Sequence, residues 1–193
     1  QVVECDITCR VIDSEGMWGE GTCQQWVTQW PVLTTNPNAV DNCMVIPEDL
    51  EDALSSNYYN PADYLFPDVE PNGNVVYINW WATWCGYCIA EMDELDIIYN
   101  MYREEDYIHL HINKGESKAT AANWINTHSY EATYWLMDPT QAYFNLTNEW
   151  NGNSTGIPQH LVFDRDGRCR GNRLGSINGY GIEPIDRYLR ELI

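Results

Sequence analysis

The chain has 193 residues, of which 44% are hydrophobic and 13% aromatic, and its 29 acidic and 10 basic residues give a net charge of −19. This length suits one domain of ordinary size with an elaboration, and the apolar fraction excludes a disordered chain. The acidity argues against a nucleic-acid partner, because phosphate binding relies on Lys and Arg, and against binding to an anionic membrane surface. No apolar run approaches the roughly 18 to 20 residues that cross a bilayer, and no targeting segment is seen. We therefore expect a soluble mature or trimmed fragment, with any membrane tether outside this sequence.

The first third of the chain differs in composition from the rest. Residues 1–70 are rich in Gly, Pro, Asn and Asp, and they include four of the seven cysteines. The stretch 2–12 predicts an edge strand or hairpin, and "PEDLEDALSS" (47–56) predicts a short helix. We interpret 1–70 as a cysteine-rich N-terminal extension that packs on a domain formed by residues 71–193.

A regular pattern begins at residue 74. "NVVYINWW" (74–81) is β-branched and aromatic without a helical period, which predicts a buried strand. Apolar residues then recur at helical spacing to about residue 104, and "YIHLHIN" (107–113) alternates as a strand does. Strand, helix and strand over this length form a βαβ unit, which implies parallel pairing with a right-handed crossover.

The later elements complete an α/β pattern. In chain order they are a helix over 117–128 capped by Ser117, a short strand over 132–137, a hairpin of 159–164 and 168–174, and a helix from Glu183-Pro184. The hairpin turns at Asp166-Gly167, a strong two-residue turn signal. The order predicts a mixed central sheet with helices on both faces.

The cysteine content points to an oxidising compartment. Two cysteines form a C-x-x-C motif, and the other five are candidates for structural disulfides: Cys5, Cys9, Cys23, Cys43 and Cys169. Two bridges can be drawn from five cysteines in about 15 ways. We expect Cys169 to pair with one N-terminal cysteine and so tie the extension to the domain.

The C-x-x-C motif lies where the first strand of the βαβ unit gives way to its helix. Unpaired backbone N–H groups at a helix start stabilise an anion, so Cys85 should have a lowered pKa and react as a thiolate. Cys88 lies one turn on, at the head of the apolar face, and should be buried. This placement predicts that Cys85 attacks a substrate disulfide and that Cys88 resolves the mixed disulfide.

Two other interpretations of the motif are weaker. Structural zinc needs two more ligands, but there is no second C-x-x-C, and His109 and His111 have no evident reason to approach the cysteines. An inert disulfide across one helical turn would constrain little of the unfolded chain. We therefore expect a redox couple that works without a metal or a bound cofactor.

"WATWCGYC" after "NVVYINW", with "GIPQHLVFDRDG" some 70 residues later, resembles the thioredoxin superfamily. The resemblance covers about 74–193 and is greatest to the extracytoplasmic TlpA/ResA-type thiol–disulfide oxidoreductases. It implies a thioredoxin-like fold in which Pro158 follows a cis peptide bond beside the cysteines. It also implies a substrate-binding surface formed by Trp84, Gly86, Tyr87, Ile157 and Pro158.

The resemblance adds a further site candidate. Glu91 matches an acidic residue of the TlpA/ResA branch, and it neighbours Cys88 on a helix, so it could accept the Cys88 proton. The alternative is a solvated helix acid such as Glu94. Asn79 stands where cytoplasmic thioredoxins carry a buried Asp.

Five positions leave questions for the structure. Tyr87 replaces the Pro of the family's usual motif, as in some disulfide isomerases, and this affects the redox potential. Asp93 stands where many relatives carry a helix-kinking Pro, so a straighter helix is expected. For His160 we favour hydrogen-bonded packing over a functional role, and we expect one of Trp80 and Trp81 to lie in the core.

These observations predict an extracytoplasmic enzyme, periplasmic, membrane-anchored or secreted, that exchanges dithiols and disulfides with protein substrates. The resemblance favours a reductase, supplied by an upstream thiol electron donor and acting as a monomer. A disulfide isomerase or oxidase is the alternative within the same chemistry. A non-catalytic binding or chaperone module on the same fold is the alternative from another class.

Overall fold

The computed structural model describes residues 9–12, 18–21, 49–61, 64, 73–148, 154–165, 167 and 169–193. The strands within these residues are β1 (Cys9–Ile12), β2 (Trp18–Gly21), β3 (Leu50–Asp52), β4 (Tyr58–Tyr59), β5 (Val75–Trp81), β6 (Tyr107–Lys114), β7 (Tyr134–Asp138), β8 (Gln159–Phe163) and β9 (Cys169–Leu174). The helices are α1 (Gly86–Ala90), α2 (Met92–Tyr102), α3 (Lys118–Thr127), α4 (Ala142–Asn148) and α5 (Glu183–Leu192).

A seven-stranded mixed sheet organises the fold, in the order β4-β3-β7-β6-β5-β8-β9. The β5–β6 and β6–β7 pairs are parallel, and the remaining pairs of this sheet are antiparallel. β1 and β2 form a separate antiparallel hairpin. The predicted mixed sheet and the βαβ unit are therefore confirmed.

Helices cover both faces of the sheet, as predicted. Buried side chains of α2, α3 and α5 pack on one face, and Tyr143 and Phe144 of α4 pack on the other. The central strand β5 is buried along its whole length, because neighbouring strands and both helical layers cover it. Among the described helices, none combines the length and apolar character that a membrane span requires.

The two tryptophans of β5 both lie in the core, so the expectation that only one would do so is wrong. Successive residues of a strand point to opposite faces, and both faces of this sheet are covered. Trp80 packs against Phe144 in a T-shaped contact with ring centroids 5.2 Å apart. Trp81 packs on the opposite face against Trp135, with centroids 5.3 Å apart.

The helix predicted over 47–56 is wrong for the described residues 49–56, because β3 occupies Leu50–Asp52 and bends follow it. Leu50 and Asp52 are buried on either side of a more exposed Glu51, which is the period-two pattern of a strand. β3 pairs antiparallel with β7, and the Glu51 carboxylate binds the Lys118 ammonium at 2.8 Å. The sheet thus includes residues from the predicted extension, most of which lies outside the described residues.

The helix predicted to run to residue 104 is interrupted at Glu91, which separates α1 from α2. The Glu91 backbone has φ −102° and ψ 0°, and its carboxyl group is buried beneath the helix start. The straighter helix expected from Asp93 is therefore not found. The break arises at a residue whose side chain is bonded into the protein interior.

Most other predicted elements are confirmed. β6, β7, α3, α5 and the β8–β9 hairpin lie where the sequence placed them, within one to three residues. The Ser117 Oγ caps α3 by accepting a hydrogen bond from the Thr120 N–H at 3.2 Å. Gly167 has φ +73° at the hairpin turn, which suits glycine, while its predicted partner Asp166 lies outside the described residues. α4 was not predicted.

Cys169 differs from the expectation of a disulfide with an N-terminal cysteine. In the structure it carries a buried thiol that donates to the Gly171 carbonyl at 3.5 Å. Burial raises its pKa to about 12, since it lies within the apolar layer on the α4 side of the sheet. Cys5, Cys23 and Cys43 lie outside the described residues, and only the backbone of Cys9 is described.

Candidate functional site

The C-x-x-C motif lies at the carboxyl end of the central strand. β5 ends at Trp81, a short turn follows, and Cys85 is the N-cap residue of α1. Cys85 and Cys88 form a disulfide with an S–S length of 2.02 Å and a Cα–Cα distance of 5.2 Å. Cys85 is 5% exposed and Cys88 is fully buried, so the small accessible fraction of this disulfide belongs to Cys85.

Backbone N–H groups at the start of α1 surround Cys85. The Cys88 N–H points at the Cys85 Sγ at 3.2 Å, and the Ile89 N–H bonds to the Cys85 carbonyl at 3.0 Å. Because α1 has only five residues, a thiolate at Cys85 is stabilised mainly by this direct N–H contact and little by a helix dipole. Cys85 therefore occupies the predicted anion-stabilising position, and the stabilising groups are backbone N–H groups.

A carboxylate that the sequence analysis missed holds the turn before the motif. Glu116 accepts hydrogen bonds from the Thr83 N–H at 2.7 Å, from the Thr83 hydroxyl at 2.5 Å and from the Asn113 amide at 2.7 Å. Thr83 stands two residues before Cys85, so these bonds fix the path of the chain into α1. No local signal in the sequence joins positions 33 residues apart.

The predicted substrate-binding residues lie within the C-x-x-C segment and at the cis-proline that faces it. The Ile157–Pro158 peptide bond is cis, and the Ile157 carbonyl oxygen lies 3.6 Å from the Cys85 Sγ. Trp84 is 65% and Tyr87 is 75% exposed, and the space beside Gly86 is open.

A glycine-containing loop after β9 packs against α1. The Ser176 hydroxyl donates to the Tyr87 carbonyl at 3.2 Å. The same loop carries Tyr180, which is 69% exposed and which the sequence analysis did not single out. Positive φ angles at Gly175 and Gly179 let this loop turn back towards the motif.

Glu91 is fully buried, which overturns the alternative that it is a solvated helix acid. Its Oε2 accepts a hydrogen bond from the Ile177 N–H at 2.9 Å, and its Oε1 accepts one from the Asn79 amide at 3.3 Å. Burial raises the pKa of Glu91 to about 7, and the hydrogen bonds it accepts oppose that rise. A carboxyl group with this pKa can give or take a proton near neutral pH.

A buried polar network joins Glu91 to histidines of two strands. The Asn79 Oδ1 is 2.9 Å from the His111 Nδ1, and the Tyr77 hydroxyl is 2.7 Å from the His160 Nδ1. Burial lowers the pKa of His111 and of His160 to about 3, so both rings are neutral. The 3.6 Å approach of the His160 Nε2 to the Glu91 Oε2 is therefore not an ion pair.

The sequence analysis anticipated only part of this network. His160 is hydrogen-bonded packing, as favoured, but it also lies beside the candidate proton acceptor. The sequence alone offers no reason to place His111 near the cysteines. The parallel β5–β6 register nevertheless sets it directly beside Asn79, within this network. His109, two residues earlier, bonds instead to the Tyr107 hydroxyl at 3.2 Å.

The fold and the site together define a protein class. A mixed sheet flanked by helices, with a C-x-x-C disulfide at the end of the central strand and a cis-proline facing it, is a thioredoxin-like protein. A family model described as AhpC/TSA family matches residues 61–171, more than half of the chain. The chain belongs to the AhpC/TSA family, and the predicted TlpA/ResA type within the thioredoxin superfamily is confirmed.

Curated relatives match over a similar length of chain. The chain is 24% identical over 120 residues to the thiol-disulfide oxidoreductase ResA of Geobacillus kaustophilus, covering 62% of this chain and 64% of that protein. It is 37% identical over 117 residues to ResA of Geobacillus thermodenitrificans, covering 56% and 63% respectively. The chain thus spans slightly less than two thirds of the length of these relatives.

Solved structures agree on the fold. A putative thiol:disulfide interchange protein DsbE from Chlorobium tepidum superposes with a TM-score of 0.60 at 18% identity, covering 76% of this chain and 93% of that one. The exposed lipoprotein thioredoxin of Streptococcus pneumoniae gives a TM-score of 0.57 at 25% identity, covering 75% and 98%.

Proposed function

We propose that this protein is a thiol–disulfide oxidoreductase that exchanges electrons with protein substrates through Cys85 and Cys88. The observation that carries the proposal is the disulfide at the N-cap of α1, in which Cys85 is 5% exposed and Cys88 is fully buried. Each sulfur is thereby suited to one of two successive displacements.

In the first step the reduced Cys85 attacks a substrate disulfide as a thiolate. A bond forms between the Cys85 Sγ and one substrate sulfur, and the substrate S–S bond breaks with release of the other sulfur as a thiolate. The Cys88 N–H, directed at the Cys85 Sγ, stabilises the attacking charge. The nearby Ile157 carbonyl marks where the peptide of the substrate approaches.

In the second step Cys88 resolves the mixed disulfide. The Cys88 thiol gives its proton to Glu91, and the resulting thiolate attacks the Cys85 Sγ. The Cys85–Cys88 disulfide forms, and the remaining substrate sulfur leaves as a thiolate. The substrate has gained the two electrons that the protein has lost, and the proton on Glu91 passes on to water or to a released thiolate. The pKa of Glu91, raised by burial to about 7, suits this transfer.

Two sulfurs suffice for this exchange, so the proposal includes no bound cofactor or metal. The exposed Trp84 and Tyr87 favour an apolar peptide segment as the bound part of the substrate. An upstream thiol donor returns the disulfide to the dithiol. The seven cysteines and the ResA relatives support action outside the cytoplasm.

Reduction is the proposed direction, on the resemblance to ResA-type proteins, while Tyr87 in the motif favours an isomerase or oxidase as the alternative. Equilibrating the protein with glutathione buffers and measuring the dithiol fraction gives its reduction potential. A potential well below that of glutathione supports the reductase. A potential as oxidising as that of the strongest thiol oxidases, about −120 mV, would exclude it.

Insulin reduction with a thiol donor tests the activity itself. We expect Cys85→Ser to abolish catalysis, because no sulfur then attacks the substrate. Cys169→Ala, which removes a thiol buried in another part of the core, is the matched control and should retain activity. Equal activity in wild type and Cys85→Ser would favour the binding or chaperone module instead.

A further inference from the structure

The carboxyl group of Glu91 is surrounded by hydrogen-bond donors. The Ile177 N–H bonds to one oxygen and the Asn79 amide to the other. The Ser176 hydroxyl lies near the carboxyl and lowers its pKa, while its proton goes to the Tyr87 carbonyl. Donors favour the ionised form of an acid, whereas burial favours the neutral form. The balance between them decides whether Glu91 is ready to accept a proton.

His160 places a fourth group against the same carboxyl. Its Nε2 lies 3.6 Å from the Glu91 Oε2 and has no hydrogen-bond partner among the residues that the structure describes. The ring is fully buried on β8, so water cannot satisfy this nitrogen from the surface. An unsatisfied buried nitrogen 3.6 Å from a buried carboxyl oxygen requires an explanation.

The contacts of the other ring nitrogen define the tautomer. The Tyr77 hydroxyl approaches the His160 Nδ1 at 2.7 Å, and the Asn79 Nδ2 approaches it at 3.4 Å. Burial raises the pKa of Tyr77, so its hydroxyl keeps its proton and can donate. With a donor amide and a donor hydroxyl on Nδ1, that nitrogen is the acceptor, and the ring proton lies on Nε2.

The Asn79 orientation is fixed by a second histidine. The His111 Nδ1 lies 2.9 Å from the Asn79 Oδ1, which turns the amide nitrogen towards Glu91 and His160. The strands β5, β6 and β8 thus carry a continuous chain of contacts that runs from His111 through Asn79 to His160. Its end is the Nε2–H of a neutral imidazole directed at Glu91.

We infer that His160 is a positioning residue for thiol exchange, whose Nε2–H keeps Glu91 ionised and ready until Cys88 yields its proton. The inference rests on the proposed function, in which Glu91 is the proton acceptor. His160 takes no proton itself, since it stays neutral throughout. Its effect is to stabilise the carboxylate, and the proton moves only from the Cys88 sulfur to Glu91.

The other groups around this pair do not provide the same contact. From α2, Glu94 adds negative charge that raises the pKa of Glu91. From β9, Arg173 disfavours a charged His160. The Gly175 backbone carbonyl lies near the ring and competes with Glu91 for the Nε2–H, although no bond to it falls within hydrogen-bond distance. From the sheet, His160 is the group that brings an N–H to 3.6 Å from the Glu91 Oε2.

A small aromatic disulfide, 5,5′-dithiobis(2-nitrobenzoate), separates the two chemical steps. Mixed with the reduced protein, it releases one coloured thiolate when Cys85 attacks and a second when Cys88 resolves. The background from other cysteines is subtracted with the Cys85→Ser, Cys88→Ser double variant. The rate of the second release is measured from pH 5 to pH 9.

We expect His160→Leu to move the pH midpoint of the second release upward by about one unit, which slows this phase roughly fivefold at pH 7. The first release should not change. His160→Gln, which restores a donor amide, should bring the midpoint back towards wild type. His109→Leu removes a buried histidine from the neighbouring strand and should leave the midpoint unchanged.

An unchanged midpoint in His160→Leu would overturn the inference, as would the same shift in a Glu91→Gln background. If His160→Leu does not fold, Tyr77→Phe serves instead, because it removes the hydroxyl that holds the tautomer and should shift the midpoint in the same direction. If the wild type itself releases no second thiolate, the proposed function fails rather than this inference.

Discussion

Glu91 illustrates how one residue can combine a structural cost with a chemical use. It interrupts a helix, lies fully buried, and has a pKa raised by burial to about 7. A carboxylate on the surface would cost the protein less folding free energy. It would, however, be fully ionised at neutral pH and would be a weaker base. The helix spacing placed Glu91 beside Cys88, but whether its side chain points to water or to the interior depended on the sheet beneath.

The raised pKa of Glu91 predicts a pH-dependent stability. The unfolded chain loses this proton near pH 4.5, whereas the folded protein holds it to about pH 7. The stability contributed by the protonated form is therefore complete below pH 4.5 and is lost as the pH rises through 7. Relative to Glu91→Gln, wild type should lose on the order of 3 kcal/mol of unfolding free energy across this window.

Urea unfolding of both variants at several pH values between 4 and 8 measures this difference. Glu104→Gln, which changes a highly exposed helix acid, is the control and should follow wild type across the window. Parallel curves for wild type and Glu91→Gln would show that Glu91 does not titrate there.

At the scale of elements, two connections position the site. The Glu116 carboxylate fixes the turn between β5 and α1, and α5 packs across β9 beside the loop that reaches Glu91. Both join elements that are distant along the chain. Periodicity and capping signals therefore predicted the helices and strands but not the contacts that connect them.

Replacing Glu116 tests the first connection. Glu116→Gln exchanges one acceptor oxygen for a donor, so a Thr83 or Asn113 donor loses its partner. We expect the unfolding free energy to fall by about 1 to 2 kcal/mol, and insulin reduction to slow because Cys85 is held less firmly. Glu131→Gln breaks an exposed ion pair with Arg103 and should change stability by less than about 1 kcal/mol. Equal effects of the two substitutions would contradict this role.

The second connection depends on a glycine with no room for a side chain. A Cβ at Gly171 would stand 2.8 Å from a ring carbon of Tyr188 on α5, closer than packed atoms approach. Gly171→Ala should therefore destabilise the protein by about 1 to 3 kcal/mol, because the helix must shift. At Gly156 the nearest atom is 3.6 Å away, so Gly156→Ala is the control in thermal unfolding. A Gly171→Ala variant as stable as that control would show that α5 adapts freely.

At the scale of the whole molecule, charge is the dominant property. A net charge of −19 creates a long-range field that repels acidic substrates and attracts basic ones. The residues next to the two cysteines in sequence include the exposed aromatic residues Trp84 and Tyr87, so we expect the field to affect the approach of a substrate more than its final contacts.

This field predicts a salt-dependent preference. At low ionic strength a disulfide peptide with flanking lysines should be reduced faster than the same peptide with flanking glutamates, by about tenfold. The difference should shrink steeply at 0.5 M salt, where screening is strong. Rates from single-turnover fluorescence measure it, and a preference that salt does not reduce would indicate direct contacts instead.

The resemblance to the thioredoxin superfamily implied the fold. Apart from α4 and the break at Glu91, the residue pattern by itself determined the order of strands and helices from residue 74 and placed the C-x-x-C at a strand-to-helix junction. These are local properties, because side-chain periodicity and capping act over a few residues. It misassigned 47–56, where β3 forms by pairing with β7 on one side and with β4 on the other.

Only the tertiary structure decided what surrounds Cys88 and Glu91. The Ile177 N–H that binds Glu91 is 86 residues away in sequence, and His160 stands beside Asn79 across a separation of 81. Such contacts follow from strand order and register, which bring distant segments to one place. A sequence pattern shows which face a residue occupies, but not which residues of other elements meet it there.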